Sequence, residues 1–389
     1  MKFGLFYLFS KFGDISQERI FSEVLEEIDY GEELGFDSVW LPEHHFSVYG
    51  TLGNPMTFAA AIAQRTKRML IGTAVMVLPF QHPLRLAEDA ALVDALSGGR
   101  LLLGIGRGYQ VPEFDVLDVP QHASRAMFLE SLEIIIKAFT EDNFSYEGNF
   151  WKVRNATVFP KPVQKPHPPI YWAGISPATY ELAGRMGYPV LRGPNFTSIS
   201  AVEQSYEVYT ARLLENGYDP ESMDLPFSLK IYVAPTDEEA KAEIHHALWF
   251  YHTLGRLLPG APGRPTPAGY EQYPRDPSFL GELTPDQLWN AGVDEGSGTV
   301  FGSPERVIEQ LRFYQSRTRI NHWMLWFKIG GLEHHKVMRS MELFTKHVMP
   351  ALQKEEARTG PAQPPVRTDS WYIPNREQIA PRTQRESRQ

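Results

Sequence analysis

Three adjacent polar residues, Glu43, His44 and His45, carry the first chemistry visible in the sequence. They follow the short apolar segment 38–41, whose β-branched and aromatic residues favour a buried strand that ends at Pro42. At the carboxyl end of a parallel strand, a carboxylate and two imidazoles could transfer protons near neutral pH, because imidazole titrates at about pH 6.5. The same residues also occur in ordinary loops. The predicted strands and helices around this segment are therefore needed to choose between a catalytic site and an ordinary loop.

A second group of residues could bind a phosphate. Arg107 lies in the glycine-rich segment 104–109, where backbone N–H groups can approach an anion beside a permanently charged guanidinium. Arg125, Ser176 and Thr179 lie at predicted helix starts, and free N–H groups at a helix N-terminus favour an anion. Tight turns contain glycines in the same pattern, so the glycines alone do not identify a phosphate site. A mononucleotide fits better than a dinucleotide, because no Gly-x-Gly-x-x-Gly opens a helix.

The elements that must position these groups alternate along the chain. Short apolar segments are separated by amphipathic ones, which is typical of parallel strands crossed by helices. The predicted strands are 3–9, 38–41, 70–78, 101–105, 170–173, 189–191, 228–234 and 322–327. The predicted helices are 18–34, 55–66, 83–96, 124–140, 177–186, 200–216, 237–252 and 304–316. Eight such units predict an α/β fold of the (β/α)8 TIM-barrel type over residues 1–352.

Three segments interrupt or follow this repeat. Segment 144–169 contains Glu147-Gly148-Asn149 between strand-like flanks and then many prolines, which predicts a hairpin and a linker. Segment 257–298 is rich in proline and glycine, and a connection of that length predicts a lid insertion. Residues 353–389 contain few apolar side chains, so we expect a flexible C-terminal tail or one that lies over a partner.

Composition excludes several classes of function. The chain has 389 residues, 42% of them hydrophobic, and no cysteine, so disulfides and thiolate chemistry are excluded. Its net charge of −9 argues against nucleic acid or an anionic membrane as the main partner. We expect a cytoplasmic protein, because the apolar start is too short for a signal core and no segment approaches a membrane span.

Two histidine pairs outside these motifs, His245-His246 and His334-His335, lie in helical segments. Adjacent helical residues point in different directions, so neither pair suggests a metal site. We expect no metal.

Several separated motifs together identify the chain as similar to the bacterial luciferase-like, flavin-dependent monooxygenases. The resemblance extends from residue 1 to about residue 352. Its motifs are Met1-Lys2-Phe3-Gly4, Glu43-His44-His45-Phe46, Val77-Leu78-Pro79 with His82-Pro83 and Glu88-Asp89, Gly104 to Tyr109, Ser124-Arg125 and Gly302-Ser303-Pro304-Glu305.

The resemblance implies a barrel that binds FMN at the carboxyl ends of its strands. His44 would be the catalytic histidine near the flavin ring, with His45 and Glu43 as the next candidates. Arg107, Arg125, Ser176 and Thr179 would hold the phosphate. A non-proline cis peptide, known in the family's third strand, would fall at Ala74-Val75 against the bound ring. Aromatic residues near strand ends could form a dry wall around the site, although at least half of them are expected to belong to the ordinary barrel core; they are Tyr7, Phe46, Tyr109, Trp172, Trp323 and Trp326.

The implied reaction is that of a two-component monooxygenase. A separate flavin reductase would supply reduced FMN, which reacts with O2 to form a C4a-peroxyflavin and inserts one oxygen atom into a small organic substrate, such as an aldehyde, a ketone or a hydrocarbon. The resemblance also implies a homodimer formed through early barrel helices.

Two departures and two alternatives qualify the resemblance. Gly106 replaces the reactive cysteine of light-emitting α subunits and Ile175 replaces an acid, so we do not expect luminescence.

One alternative function is hydride transfer with a deazaflavin (F420). Identifying which reduced cofactor the protein binds would distinguish it from the monooxygenase. The other is a non-catalytic flavin-binding protein. The presence of His44 with both arginines argues against that second alternative.

Overall fold

Eight parallel strands form the central barrel of the computed structural model, which describes residues 1–194, 197–261, 266–273, 280–290 and 298–353. The barrel strands are β1 (Lys2–Phe6), β2 (Ser38–Leu41), β3 (Leu70–Thr73), β5 (Leu101–Gly106), β8 (Ile170–Ala173), β9 (Val190–Leu191), β10 (Pro226–Val233) and β12 (His322–Trp326). They pair in this order, with β12 returning to β1, and a parallel bridge from Arg192 to Phe227 joins β9 to β10. The predicted barrel fold is confirmed.

Four further strands lie outside this set or extend it. These are β4 (Met76–Val77), β6 (Phe144–Glu147), β7 (Lys152–Ala156) and β11 (Thr299–Gly302). The antiparallel pair β6 and β7 is the hairpin predicted around Gly148. Strand β11 pairs with the carboxyl-terminal half of β10. It was not predicted, because it contains only two apolar side chains, Val300 and Phe301, and follows a long proline- and glycine-rich segment.

Helices cover the outside of the barrel. They are α1 (Gln17–Leu34), α2 (Pro55–Arg65), α3 (Pro83–Ser97), α4 (Val111–Val116), α5 (Ser124–Thr140), α6 (Pro177–Met186), α7 (Ile199–Glu215), α8 (Asp237–Ala242), α9 (Ile244–Leu254), α10 (Pro285–Asn290), α11 (Pro304–Arg317) and α12 (His334–Leu343). Asn54, Ser176 and Ser303 each cap a helix whose first residue is proline, as predicted. Among the described residues, no helix is both long and apolar enough to cross a membrane. Residues 354–389 of the predicted tail lie outside the described residues.

The amino-terminal end of the barrel holds a buried network of serine, histidine and aspartate. Ser38 Oγ lies 2.7 Å from His322 Nε2, and His322 Nδ1 lies 3.3 Å from Asp224 Oδ2. Asp224 also accepts hydrogen bonds from the Tyr171 hydroxyl and from Lys2 Nζ. These residue types match a hydrolase triad, but Ser38 and His322 are fully buried at the end of the barrel opposite the catalytic face. The network is therefore structural.

We expect Asp224→Ala to destabilise the protein by about 1–3 kcal/mol at neutral pH, because it leaves buried donors without an acceptor. Burial raises the pKa of Asp224, but His322, Lys2 and Tyr171 outweigh it and hold that pKa well below its usual range. Because the pKa of Asp224 is lower in the folded than in the unfolded protein, its ionised carboxylate stabilises the fold at any pH above the unfolded-state pKa of about 3.9. This stabilisation is lost as the pH falls below that value towards the folded-state pKa. Urea unfolding at pH 7 and pH 3 should show the difference between wild type and variant shrinking at the lower pH. A difference that does not depend on pH would contradict the assignment.

Candidate active site

A cavity of about 220 Å³ opens at the carboxyl ends of the barrel strands. Its walls come from nearly every barrel strand and from the described part of segment 257–298. The residues that line it include Phe6, Leu8, Glu43, His44, Tyr49, Ala74, Val75, Arg107, Tyr109, Glu113, Ser176, Thr179, Leu191, Arg192, Ser228, Gln272, Tyr273, Met324 and Trp326. Most of the polar groups predicted to carry chemistry therefore face one space.

Glu43 joins the end of β2 to the segment after β3. Its Oε2 accepts the Val77 N–H at 2.8 Å, and its Oε1 lies 3.0 Å from His45 Nε2. Burial raises the pKa of Glu43 despite these two hydrogen bonds. Burial alone would lower the pKa of His45, but the hydrogen bond and charge of Glu43 raise it. This pair orders the loop, and His45 does not line the cavity.

His44 faces the cavity and is oriented by a second carboxylate. Its Nδ1 lies 3.0 Å from Oε1 of Glu113, a buried residue in the first turn of α4. The same oxygen accepts the His45 backbone N–H at 2.9 Å. Gln110 Nε2 also lies 3.0 Å from Nδ1. When Nδ1 donates its proton to the carboxylate, Nε2 of His44 is the atom left to exchange one. Nε2 has no hydrogen-bond partner among the described residues.

Tyrosines enclose the imidazole of His44. The rings of Tyr49 and Tyr109 lie 5.0 and 5.9 Å from it, both edge-on, and the Tyr109 hydroxyl bonds the Tyr49 hydroxyl at 3.3 Å. Burial raises the pKa of Tyr109 to about 12, so this hydroxyl remains protonated at neutral pH. The histidine thus lies between a carboxylate on one side and neutral, largely apolar groups on the other.

Two arginines meet on the opposite side of the glycine-rich segment. The guanidinium of Arg107 lies 4.0 Å above the ring of Tyr270 and donates to the Gly269 carbonyl. Arg125 Nη2 bonds Ser176 Oγ at 3.4 Å. Burial and then the charge of Arg107 lower the pKa of Arg125. Neither guanidinium has an ion-pair partner among the described residues, because the exposed Glu271 bonds the Gly269 N–H instead.

The start of α6 completes this cradle. Ser176 is its N-cap, and Ser176 Oγ accepts the Thr179 N–H at 3.3 Å and lies 2.8 Å from Thr179 Oγ1. Two guanidiniums, two hydroxyls and a ten-residue helix N-terminus therefore converge at one end of the cavity. Such an arrangement matches the oxygens of a phosphate.

The wall between the cradle and His44 has the backbone feature that the resemblance implied. The Ala74-Val75 peptide is cis, between β3 and β4, so the single predicted strand 70–78 is in fact two short ones. Gly106 lies opposite, and a Cβ there would meet Val75 Cγ2 at 2.7 Å. The valine side chain thus occupies the space that a residue larger than glycine would need.

Known proteins resemble this chain over most of its length. Residues 1–319 match the family described as luciferase-like monooxygenase. The chain belongs to the luciferase-like monooxygenase family. The alkanal monooxygenase alpha chain of Photorhabdus laumondii is 34% identical over 362 residues, which cover 92% of this chain and 99% of that relative. The flavin-dependent trigonelline monooxygenase, oxygenase component, of Acinetobacter baylyi is 26% identical, with coverages of 92% and 97%.

A solved structure supports the same assignment. The crystal structure of monooxygenase RslO1 from Streptomyces bottropensis matches with a TM-score of 0.79 and 28% identity, over 90% of this chain and all of that one. This luciferase-like monooxygenase is therefore an oxidoreductase with the fold and the flavin-dependent chemistry of its family.

Sequence reasoning about this luciferase-like monooxygenase missed two charged lining residues, Glu113 and Arg192. Glu113 follows a proline in the first turn of α4, where an acid is ordinary, so nothing in the sequence separated it from a helix-capping residue. Arg192 directly follows a predicted strand, and the reasoning applied to His44 would have found it. Arg125 was predicted and contacts Ser176, although it does not itself line the cavity.

Two groups of acids and histidines lie outside the cavity. Glu243, His245 and His246 form one, and their two histidine rings lie 4.0 Å apart despite being adjacent in a helix. In the other, Glu23 and Glu27 both accept from Lys328 Nζ, at 2.9 and 2.8 Å, so a cation already lies between the carboxylates. The expectation of no metal stays a prediction.

Proposed function

We propose that the protein is the oxygenase component of a two-component monooxygenase, which takes reduced FMN from a separate reductase and transfers one oxygen atom from O2 to a small organic substrate. The observation that carries this proposal is the pair of arginines beside the Ser176 cap at one end of the cavity, with His44 at the other. Phosphate at one end and proton transfer at the other suit a mononucleotide whose ring lies between them.

The residues present fit the phosphate of FMN. Arg107 and Arg125 form no ion pair with a described carboxylate. The exposed Glu271 is the one carboxylic acid among the described residues whose pKa their charges lower, and they do so less than its hydrogen bond from the Gly269 N–H. A buried or half-buried charge with so little compensation is costly. A bound phosphate would balance both charges and accept from the Ser176 and Thr179 hydroxyls. Each charge-assisted hydrogen bond contributes about 1.5–3 kcal/mol net. The cis peptide at Ala74-Val75 and the backbone of Gly106 form the wall against which we place the ring.

Bound flavin would supply the reaction with O2. The chain's own residues would hold the flavin, move protons and exclude water. His44 Nε2 would accept or donate the proton, while Glu113 holds the ring through Nδ1. Glu43 and His45 would not transfer the proton themselves but would hold the loop that carries His44 in place.

Segment 257–298 would close the site from above as a lid. Its described residues already touch the cradle, since the Tyr270 hydroxyl bonds the Gly108 carbonyl at 2.9 Å and Ser124 Oγ at 3.0 Å. Gln272 and Tyr273 line the cavity. Closure by this segment would shield the flavin from bulk water.

We further propose a cytoplasmic homodimer that receives its flavin by diffusion from the reductase. Leu92 and Leu96 lie on the outer face of α3 with 48% and 44% of their surface exposed, one turn apart. Apolar side chains in this position suit a contact between early barrel helices of two copies.

The proposal predicts that anaerobic protein binds reduced FMN and slows its reoxidation when oxygen is admitted. Stopped-flow absorbance without added substrate would measure this, with free reduced FMN as the control. Reoxidation as fast as in free solution, together with tight binding of a reduced deazaflavin, would overturn the proposal in favour of hydride transfer. Failure of either flavin to bind would overturn both.

A further inference from the structure

Arg192 is a third arginine of the cavity and lies beside the phosphate cradle, because its Nη1 bonds the carbonyl of Gly174, two residues before Ser176, at 3.5 Å. It directly follows β9, the sixth barrel strand, whereas His44 follows β2, the second. Three strands lie between them in either direction around an eight-stranded barrel, so the two side chains enter the cavity from opposite walls. Arg107 and Ser176 follow the fourth and fifth strands.

The position of Arg192 is held by the backbone. Its N–H donates to the Pro226 carbonyl at 3.1 Å, and its carbonyl accepts the Ser228 N–H at 2.7 Å. These bonds are part of the closure between β9 and β10 and do not depend on the side chain. The guanidinium therefore projects from a rigid part of the barrel.

The charge of Arg192 is buried and forms no ion pair with a described residue; the ring of Tyr180 lies 5.7 Å from the guanidinium. Only 3% of its surface is exposed. Its two terminal nitrogens meet neutral oxygens, the Thr197 hydroxyl at 2.9 Å and the Gly174 carbonyl at 3.5 Å. Its Nε is buried without a hydrogen-bond partner among the described residues. A permanently charged fork kept in this state favours an anion from outside the chain.

The rest of this wall is mostly apolar. Phe6, Leu191, Met324 and Trp326 line the cavity on the sixth, eighth and first strands, and Trp326 stacks on Phe6 at 4.3 Å. Ser228 is the hydroxyl beside them. An apolar surface with one guanidinium suits a molecule with a hydrocarbon or aromatic body and one acidic group.

We propose that Arg192 is a specificity-determining residue that binds a carboxylate or a similar anionic group of the organic substrate. The acidic end would pair with Arg192, the apolar body would lie along Met324 and Trp326, and the reacting end would point towards His44. This inference rests on the proposed function for the identity of the flavin. The charge preference itself belongs to the chain and can be measured without turnover.

The test uses matched probes that differ in charge alone. Benzoate with benzamide, and hexanoate with hexanamide, would be titrated calorimetrically into the full-length protein, anaerobically, with and without reduced FMN. We expect each carboxylate to bind wild type at least roughly tenfold more tightly than its amide. Arg192→Gln should abolish this preference, Arg192→Lys should retain part of it, and both should bind reduced FMN within about twofold of wild type.

Two results would overturn the inference. One is equal affinity of wild type for acid and amide in both pairs. The other is a loss of FMN affinity in Arg192→Gln as large as that in Arg107→Gln, which would place Arg192 in the cofactor site. Absence of FMN binding by wild type would instead refute the proposed function, while the titrations without flavin would still decide the charge preference.

Discussion

Replacing Arg107 by glutamine should weaken the binding of reduced FMN by roughly 10- to 100-fold, because the substitution removes at least one charge-assisted bond to the phosphate. Riboflavin has the same ring and no phosphate, so its affinity should change by less than about threefold. Fluorescence or absorbance titration under anaerobic conditions would measure both. The comparison separates loss of a phosphate contact from general damage to the cavity.

A matched control is available on the surface. Arg154→Gln removes the same charge from the exposed face of β7, outside the cavity, and should leave both affinities unchanged. Equal effects of the two substitutions on FMN would indicate long-range attraction rather than contact. Unchanged FMN affinity in Arg107→Gln would contradict the phosphate assignment directly.

Replacing His44 by alanine should lower turnover by about 10²- to 10⁴-fold, the usual contribution of a positioned acid or base. FMN affinity should remain, because the imidazole contacts Glu113, Tyr49 and Tyr109 rather than the residues of the phosphate cradle. Turnover would be followed with the best substrate from a panel of small aldehydes and ketones. Exposed His245, replaced by alanine, is the matched control and should retain full activity.

Glu113→Gln tests whether the orientation of His44 matters as well as its presence. The amide keeps the size of the side chain but loses the charge that faces Nδ1 and the His45 N–H. We expect a lower kcat with little change in KM or FMN affinity. Full activity of His44→Ala would transfer the proton-transfer role to His45 or Glu43.

The order of elements was predictable because barrel strands and helices carry local signals. Apolar runs, capping serines before prolines and glycines after helices depend only on neighbouring residues, and eight such units allow few closed arrangements. Strand ends were less predictable. The predicted strand 70–78 breaks at Ala74-Val75, and the short strand Thr299–Gly302 is defined by its pairing with β10 rather than by its own composition.

The residues of the candidate site also fall into two groups, those that the sequence predicts and those that only the structure reveals. The sequence by itself determined that Glu43, His44, Arg107 and Ser176 follow barrel strands, and the barrel brings such ends to one face. Only the tertiary structure decided that Glu113 holds the His44 ring and that the guanidinium of Arg192 is buried without a counter-ion among the residues that the structure describes. Both depend on contacts between residues far apart in the chain, and the burial of a charge is a property of the packing around it rather than of its neighbours in sequence.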